Sequence, residues 1–378
     1  MRILISAGEA SGELYGAGLI EAFTRRVPGA EFFGVGGRRM RDAGCDTVID
    51  AHSISVLGLA EVVTHLPRIY GEFKRLVGEA KRRKPDAAIL IDFPDFNLRL
   101  ARELHKLGIP VIYYVSPQLW AWRQGRIQQI KRYVRKMLVI FPFEADFYRK
   151  HHVDVEYVGH PLADASVPSI TRERFAAENH LDASKQWIAL LPGSRRKEVA
   201  LNLPRMLETA VKLGYHFQFV LPVASSLKMD WMQSLVTHSA TPVTLTHDAS
   251  ASLLHSRAGI VASGTATLEA ALIGTPFVMV YRLSPTTWTL GRRLVKVDRF
   301  AMPNLIAGRD VVPEFVQHAF RAEAVAAEVR QLVPDGPRRQ QMIAGLREVR
   351  ARLRGSQHGQ TASQRAASAI LDVLKTSS

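Results

Sequence analysis

Short apolar runs alternate with segments of helical periodicity along the whole chain. The runs are continuous rather than alternating, as expected for strands that are buried on both faces. Because helical segments separate most of the runs, the pattern predicts parallel α/β sheets. The predicted strands are Arg2–Ser6, Glu31–Val35, Ala87–Ile91, Val111–Val115, Met137–Phe141, Val155–Val158, Trp187–Leu191, Phe217–Leu221, Val243–Leu245, Gly259–Ala262 and Phe277–Val280.

A domain boundary is predicted near Gly159-His160-Pro161, because the first series of strands ends there and the second begins at Trp187. The fold class is therefore α/β, with two tandem doubly wound, Rossmann-like domains at residues 1–162 and 163–337. Residues 338–378 form a predicted C-terminal helical tail that is rich in arginine. In doubly wound folds the ligand binds at the carboxyl ends of the strands, here in a cleft that the two domains would face.

Composition and charge narrow the class of protein. The chain has 378 residues, 47% of them hydrophobic, which is enough for two packed domains. Its one cysteine, Cys45, excludes an internal disulfide framework and fits a reducing cytoplasm. The net charge of +15 indicates a polyanionic partner: nucleic acid, an acidic membrane surface or a phosphorylated substrate. Neither a secretion signal nor an apolar run of membrane-spanning length is visible, so we expect a cytoplasmic protein with peripheral membrane contact.

A helical stripe of apolar residues runs from Leu57 to Val77, and basic residues gather after Pro67, which should kink or restart the helix. The more common interpretation is a helix that packs on the core and has a solvated basic end. The alternative is an element at the surface of an anionic bilayer, with Leu66, Ile69 and Phe73 in contact with the membrane or with acyl chains.

Two glycine-containing turns in the second half are typical of phosphate sites. After Ala262 the sequence Ser263-Gly264-Thr265 leads directly into a helix, whose first N–H groups and positive dipole end attract phosphate. Glu269, one turn further on, either accepts hydrogen bonds from a ribose diol or merely suits a helix N-terminus. The turn Gly193-Ser194-Arg195 repeats the pattern, with Ser194 expected to cap the helix and Arg195 to pair with a diphosphate. Two such turns in one domain predict a nucleoside diphosphate.

The first strand ends in a turn of small residues, Gly8, Ser11 and Gly12, which would let a ligand approach the backbone. The turn matches neither G-x-G-x-x-G nor a Walker A loop, and a plain strand–helix turn is the alternative. Asp92 directly follows the predicted strand Ala87–Ile91 and is the candidate general base. Asp95 is expected to cap the next helix, while Asn97 either caps it or orients substrate hydroxyls.

Other segments are less specific. The sequence Val115-Ser-Pro-Gln-Leu-Trp-Ala-Trp122 forms either the wall of an apolar groove or a packing surface between domains. The stretch Arg123–Lys136, with six basic residues and no acidic one, is either an anion-facing helix or a solvated face. Asn304 follows a proline and indicates little alone. Metal-binding motifs such as H-E-x-x-H, paired cysteines and D-x-D are absent from the sequence, so arginine and helix ends would neutralise phosphate.

An ordered set of segments resembles one known family. GEASGE, IDFPDFN, YVSPQLWAWR, FPFE to VGHPLAD, LLPGSR, ASGTATLEAAL and PNLIAGR occur in the order found in lipid-A-disaccharide synthase of Gram-negative bacteria. The resemblance implies a GT-B fold and an inverting glycosyltransferase. Its substrates would be UDP-2,3-diacylglucosamine and 2,3-diacylglucosamine 1-phosphate, and its products UDP and the β-1,6 disaccharide.

The resemblance also implies roles for individual residues. Asp92 would deprotonate the acceptor 6-hydroxyl. Gly193, Ser194, Arg195, Gly264, Thr265 and Glu269 would bind UDP, with Glu269 on the ribose, and Asn304 would belong to the donor site. Glu13 stands where the family usually has Asp, so we assign it no catalytic role. No cofactor is expected. The expected partner is the anionic surface of the inner membrane, on its cytoplasmic side. Whether the protein forms a homodimer is left open by the sequence.

Three alternatives remain from the residues alone. The first is another GT-B enzyme, either a UDP-N-acetylglucosamine 2-epimerase or a lipid-linked sugar transferase, although these should lack IDFPDFN and SPQLWAW. The second is a polyanion-binding protein without catalytic activity. The basic residues are dispersed and no nucleic-acid-binding motif is evident, so we expect no nucleic-acid partner. The third is a UDP-sugar sensor without turnover, against which Asp92 argues.

Overall fold

The computed structural model describes residues 1–53, 59–285, 287–289, 298–355 and 359–375, with side chains except at 10, 52 and 59–66. The chain divides into two compact units. The first consists of residues 1–164 and 353–378, and the second of residues 165–352. The first boundary lies two residues from the predicted one. The predicted tail does not stand apart, because its first part belongs to the second unit and its last helix to the first.

The first unit is built on a parallel sheet of order β3-β2-β1-β4-β5-β6-β7. Its strands are β1 (Arg2–Ala7), β2 (Glu31–Gly36), β3 (Cys45–Asp50), β4 (Ala87–Ile91), β5 (Val111–Tyr114), β6 (Lys136–Val139) and β7 (Val155–Tyr157). Its helices in this part are α1 (Ala10–Thr24), α2 (Arg38–Asp42), α3 (Leu59–Arg83), α4 (Pro94–Lys106), α5 (Ile127–Tyr133) and α6 (Pro142–Lys150).

The second unit has a parallel sheet of order β10-β9-β8-β11-β12-β13. Its strands are β8 (Gln186–Leu191), β9 (Phe217–Pro222), β10 (Val243–Thr246), β11 (Ala258–Ala262), β12 (Phe277–Tyr281) and β13 (Glu314–Val316). Its helices include α7 (Arg172–Glu178), α8 (Arg196–Leu213), α9 (Met229–Val236), α10 (Ala249–His255), α11 (Thr265–Ile273), α12 (Met302–Ala307), α13 (Ala322–Leu332) and α14 (Pro337–Arg354). The last described helix, α15 (Ala362–Lys375), returns to the first unit.

The doubly wound parallel architecture is confirmed, and every predicted strand is present within two residues at each end. The sequence analysis missed β3 and β13, each of which is one of the two edge strands of its sheet. β3 is polar at three of its positions and β13 has only three residues, so neither has the continuous apolar run of a central strand. Helix α3 does not restart at Pro67, since it runs on through that residue to Arg83.

Helices cover both faces of the first sheet. Side chains of α1 and α15 pack with Ile3, Ile5 and Ala7 of β1 on one face. Side chains of α3, α4 and α5 pack with Leu4 and the neighbouring strands on the other. Because α15 places Ala366, Ile370 and Leu374 in the core, its amphipathic face explains why the chain end belongs to this unit.

Buried Arg365 fastens the returning helix to the end of β7. Its Nε donates to the carbonyl of Val158 at 2.7 Å, and its Nη1 donates to the carbonyl of Gln360. Its Nη2 lies over Gly159, where a Cβ atom would come within 2.1 Å of it. Gly159 also has φ +82°, a left-handed conformation that favours glycine.

Gly159→Ala should therefore lower thermal stability more than Gly355→Ala. Both residues have a left-handed φ, so each substitution carries backbone strain of about 1–3 kcal/mol. Only Gly159→Ala also displaces a buried guanidinium, because the nearest atom to a Cβ at Gly355 is 3.7 Å away. The measurement is thermal unfolding followed by circular dichroism, and equal losses in the two variants would contradict this account of Arg365.

Candidate active site

In each sheet the strand order reverses beside the first strand of the unit, between β1 and β4 and between β8 and β11. Helices that follow two such neighbours leave toward opposite faces, which opens a crevice at the carboxyl ends of the strands. The turn from Gly8 to Gly12 and Asp92 lie at the first reversal. The turns at Gly193 and Gly264 lie at the second.

The backbone around Asp92 is held in a conformation that residues other than glycine rarely adopt. The φ angles of Asp92 and Phe93 are +45° and +49°, and that of Val115, after the adjacent strand, is +63°. The carbonyl of Asp92 accepts hydrogen bonds from Asn97 Nδ2 at 2.8 Å and from the Tyr113 hydroxyl at 2.6 Å. Strain of this kind persists only where the surroundings fix it, and it concentrates at functional sites.

Asn97 provides much of that fixation. It is fully buried, and its Oδ1 accepts a hydrogen bond from Ser6 Oγ at 2.7 Å. Its Nδ2 also donates to the carbonyl of Ile91 at 3.1 Å, so the amide joins the ends of β1 and β4. The structure therefore gives Asn97 a structural role in place of the expected contact with substrate hydroxyls.

The residue at the N-cap position of α4 is Phe93, and it makes no side-chain capping bond. Neither Asp95 nor Asn97 therefore caps this helix, contrary to the prediction. The Asp95 carboxylate instead forms ion pairs with Arg123 and Arg126.

The Asp92 carboxyl has a pKa raised to about 6. Burial is the main cause, and the carboxylate of Glu9 adds a further rise, while a hydrogen bond from the Phe93 backbone lowers it. A carboxyl with this pKa is largely ionised at neutral pH and is a stronger proton acceptor than an ordinary Asp. The sequence analysis did not single out Glu9, although its place in the turn after β1 was a usable signal.

Of the small residues after β1, Gly8 is required by close packing. A Cβ at Gly8 would lie 2.4 Å from the ring of Phe93, and one at Gly12 would contact Ala7 at 3.5 Å. Ser11 is exposed in the first turn of α1. The Glu13 carboxylate accepts a hydrogen bond from the Arg39 N–H at 2.7 Å, at the start of α2.

Glu144 is a second buried carboxyl in this unit, and sequence analysis missed it. It accepts hydrogen bonds from the Phe141 N–H at 3.1 Å and from Trp120 Nε1 at 3.3 Å. Burial raises its pKa to about 8, and the Asp92 carboxylate adds a small rise. Trp120 also meets Phe143 edge to face at 4.9 Å, so this tryptophan packs against α6.

In the second unit the turn at Gly193 is occupied by a carboxylate of its own helix. Glu198 accepts hydrogen bonds from the Ser194 N–H at 3.2 Å and from Arg195 Nη1 at 3.0 Å. Arg195, not Ser194, is the capping residue of α8, so the expected Ser194 side-chain cap is wrong. Arg195 is exposed beside this glycine turn, and the diphosphate site stays a prediction.

The second turn presents the start of α11 without a side-chain cap. Gly264 has φ +137°, it is exposed, and a Cβ there would meet nothing within 4 Å. The helix begins at Thr265, one residue before the predicted start. Glu269 is half-buried, burial raises its pKa, and it makes no hydrogen bond or ion pair with the described residues. The expected contact of Glu269 with a ribose diol stays a prediction.

Asn304 is fully buried and its amide is engaged with the protein. Its Oδ1 accepts from the Val311 and Val312 N–H groups at 2.7 and 2.9 Å. Its Nδ2 donates to the Val312 carbonyl and to Glu314 Oε1, both at 2.8 Å. The structure thus assigns Asn304 to the support of this loop rather than to direct contact with a donor.

Of the three α3 residues that were expected to contact the membrane, the structure describes the side chains of two. Ile69 and Phe73 are half-buried and pack on the core, and Phe73 meets Phe96 edge to face at 5.4 Å. The side chain of Leu66 lies outside the described residues. Tyr70 is 59% exposed, with the Lys74 ammonium 4.6 Å from the centre of its ring. Within the described ranges, no helix has the length and apolar character needed to cross a bilayer.

Comparison with known proteins gives a full-length match. A family model described as lipid-A-disaccharide synthetase matches residues 3–370. Lipid-A-disaccharide synthase of Koribacter versatilis is 57% identical, over 99% of both chains. The Acidobacterium capsulatum protein of that name is 52% identical, over 93% of this chain and 91% of the relative.

Solved structures of low identity share the fold. A UDP-N-acetylglucosamine 2-epimerase from Neisseria meningitidis, bound to UDP-GlcNAc, has a TM-score of 0.63 and 13% identity, with all of both chains covered. A calicheamicin glycosyltransferase has a TM-score of 0.60 and 14% identity, over 100% of this chain and 99% of the other. Both support the predicted GT-B architecture.

Replacing Glu9 by Gln should lower the pKa of Asp92 from about 6 toward the ordinary Asp value of about 3.9. The pKa should stay above that value, because burial is the larger cause of the shift. The measurement is a carbon NMR titration of the side-chain carboxyl, assigned with Asp92→Asn. Glu21→Gln, an equal charge change on an exposed residue of α1, should leave the pKa unaltered. A pKa that both substitutions move equally would reject the Glu9 contribution.

Proposed function

The chain belongs to the lipid-A-disaccharide synthase family, and we propose that Asp92 is the general base of its glycosyl transfer. The reaction is that of the family: UDP-2,3-diacylglucosamine and 2,3-diacylglucosamine 1-phosphate give the β-1,6 disaccharide 1-phosphate and UDP. The observation that carries the proposal is the position of Asp92, strained and fixed at the strand-order reversal with a pKa of about 6.

In the proposed mechanism Asp92 accepts the proton of the acceptor 6-hydroxyl. The freed oxygen attacks the anomeric carbon of the donor, and the bond from that carbon to the diphosphate breaks, so that UDP leaves with inversion. The carboxyl can accept a proton only when it is ionised. The rate should therefore rise with pH through about 6 and become independent of this group above it.

We propose that the leaving UDP is bound in the second unit by the turns at Gly193 and Gly264. Arg195 would exchange its partner Glu198 for the diphosphate, and the first N–H groups of α11 would donate to the same anion. Glu269 would accept the ribose hydroxyls. Charge that develops on the leaving oxygen would then be stabilised by groups already in place before the reaction.

The assay for this proposal mixes the purified protein with both diacylated sugars in the presence of EDTA and detects products by mass spectrometry. We expect a tetraacyl disaccharide phosphate and UDP. Asp92→Asn should lower the turnover rate by roughly 10²–10⁴-fold, because it removes proton transfer. It should leave UDP affinity, measured by calorimetry, unchanged. Near-normal turnover by the variant would remove Asp92 from the mechanism, and UDP binding without any product would favour a sensor or a different acceptor.

We also propose that the protein acts on an anionic bilayer, where acylated substrates reside. Support comes from the net charge of +15 and from the exposed Tyr70 and Lys74 on a helix with a basic end. An exposed aromatic ring beside cationic side chains suits the headgroup region of a membrane.

Tyr70→Ser combined with Lys74→Gln should weaken sedimentation with vesicles that contain anionic phospholipid. UDP affinity should not change. Tyr215→Ser is the matched control, because Tyr215 is 80% exposed and belongs to the second unit. Unaltered vesicle binding by the double variant would leave α3 as a core-packing helix only.

A further inference from the structure

Two arginines converge on one exposed carboxylate close to Asp92. Arg123 Nη1 lies 3.3 Å from Asp95 Oδ1, and Arg126 Nη2 pairs with the same oxygen. The side chain of Asp95 is 67% exposed. Exposed ion pairs contribute little to stability. The two arginines can therefore leave Asp95 and bind a stronger anion with only a small loss of free energy.

The backbone around Arg123 has a strained shape. Arg123 has φ +52°, and its guanidinium lies 4.4 Å from the centre of the Trp122 ring. Stacking on an aromatic face is a common way to orient a guanidinium. Trp122 is itself 41% exposed, so the stacked pair lies at the surface and not in the core.

The cluster formed by Asp95, Arg123 and Arg126 lies near the proposed base along the chain. Asp95 is three residues from Asp92, so their Cα atoms are at most about 11 Å apart. The Tyr113 hydroxyl donates to the Asp92 carbonyl. Burial is the main cause of the raised pKa of that hydroxyl, and Asp92, Arg126 and Asp95 are among the charges that make smaller contributions, so these charged groups lie in the neighbourhood of the end of β5.

The local charge is unbalanced in favour of an anion. From Arg123 to Lys136 the sequence has six basic residues and no acidic one. Lys136 is balanced by Glu156 at 3.0 Å. Two guanidiniums face the single charge of Asp95, and a phosphate monoester offers both more charge and more acceptor oxygens than one carboxylate.

We propose that Arg123 and Arg126 bind the phosphate monoester of the acceptor sugar, and that Asp95 holds the two arginines while the site is empty. This inference rests on the proposed function, in which the acceptor carries its phosphate on C1 and its attacking hydroxyl on the CH2OH group of C5, the two ring carbons that flank the ring oxygen. Anchoring the phosphate here orients that hydroxyl toward Asp92. It also makes the enzyme select phosphorylated acceptors over unphosphorylated ones.

The test compares 2,3-diacylglucosamine 1-phosphate with the same sugar lacking the phosphate, at saturating donor. In the variant carrying Arg123→Gln and Arg126→Gln, the KM for the phosphorylated acceptor should rise at least tenfold. The kcat and the donor KM should change little, and the unphosphorylated acceptor should react as it does with the wild type. The preference for the phosphorylated acceptor should therefore collapse. Asp95→Asn should lower the KM for the phosphorylated acceptor, because it removes the competing carboxylate.

The matched control carries Lys131→Gln and Arg132→Gln, which remove the same charge from exposed positions of α5. Circular dichroism melting of each variant checks the fold. An unchanged preference in the arginine variant, or an equal loss in the control, would overturn the inference. A loss of binding to anionic vesicles without any change in acceptor KM would assign these arginines to lipid headgroups instead.

A binding measurement separates this inference from the proposed reaction. Calorimetry with 2,3-diacylglucosamine 1-phosphate and no donor requires no turnover. Binding that depends on Arg123 and Arg126, in a wild-type protein that forms no disaccharide, would reject the proposed function and keep the phosphate site. Disaccharide formation with arginine-independent binding would do the opposite.

Discussion

The reversal of strand order beside the first strand of each sheet is the constraint on which the candidate site depends. At β1 and β4, and again at β8 and β11, two parallel strands end side by side. In the first unit, α1 and α4 then pack on opposite faces of the sheet. The space above those strand ends is left open, and chain segments far apart in sequence meet there. Glu9 and Asp92 interact only because of this arrangement.

Buried asparagines hold the backbone at those strand ends in place through hydrogen bonds. Asn97 joins Ser6 to the carbonyls of Ile91 and Asp92. Asn202, in α8, likewise joins two backbone segments of the second unit. It donates to the Pro192 carbonyl at 3.1 Å and accepts from the Arg282 N–H at 3.0 Å. One amide can both donate and accept, so it can satisfy two backbone segments at once. Strained residues such as Asp92 keep their conformation because these bonds would be lost if the backbone relaxed.

Charge is distributed differently in the two units. In the first, burial raises the pKa of Asp92 to about 6 and that of Glu144 to about 8, so at neutral pH Asp92 is largely ionised and Glu144 is largely protonated. In the second, Glu198 lies against the Ser194 N–H and Arg195, and the start of α11 has no side-chain cap. A carboxylate in this place accepts the hydrogen bonds that a phosphate would accept in the proposed site. The proposed base thus depends on burial, whereas Arg195 and Gly264 of the proposed anion site are exposed.

Sequence alone determined the parallel α/β class, the central strands and the turns at Gly193 and Gly264, because apolar runs and glycine turns are local signals. It also placed Asp92 at a strand end. Only the tertiary structure decided the roles of Asn97, Asn304 and Asp95, whose partners come from separate segments. The same holds for α15, which joins the first unit because its apolar face completes a core built by β1 and α1. The hydrogen-bond and ion-pair partners of a polar side chain cannot be read from the local sequence, because burial and distance are set only when the chain has folded.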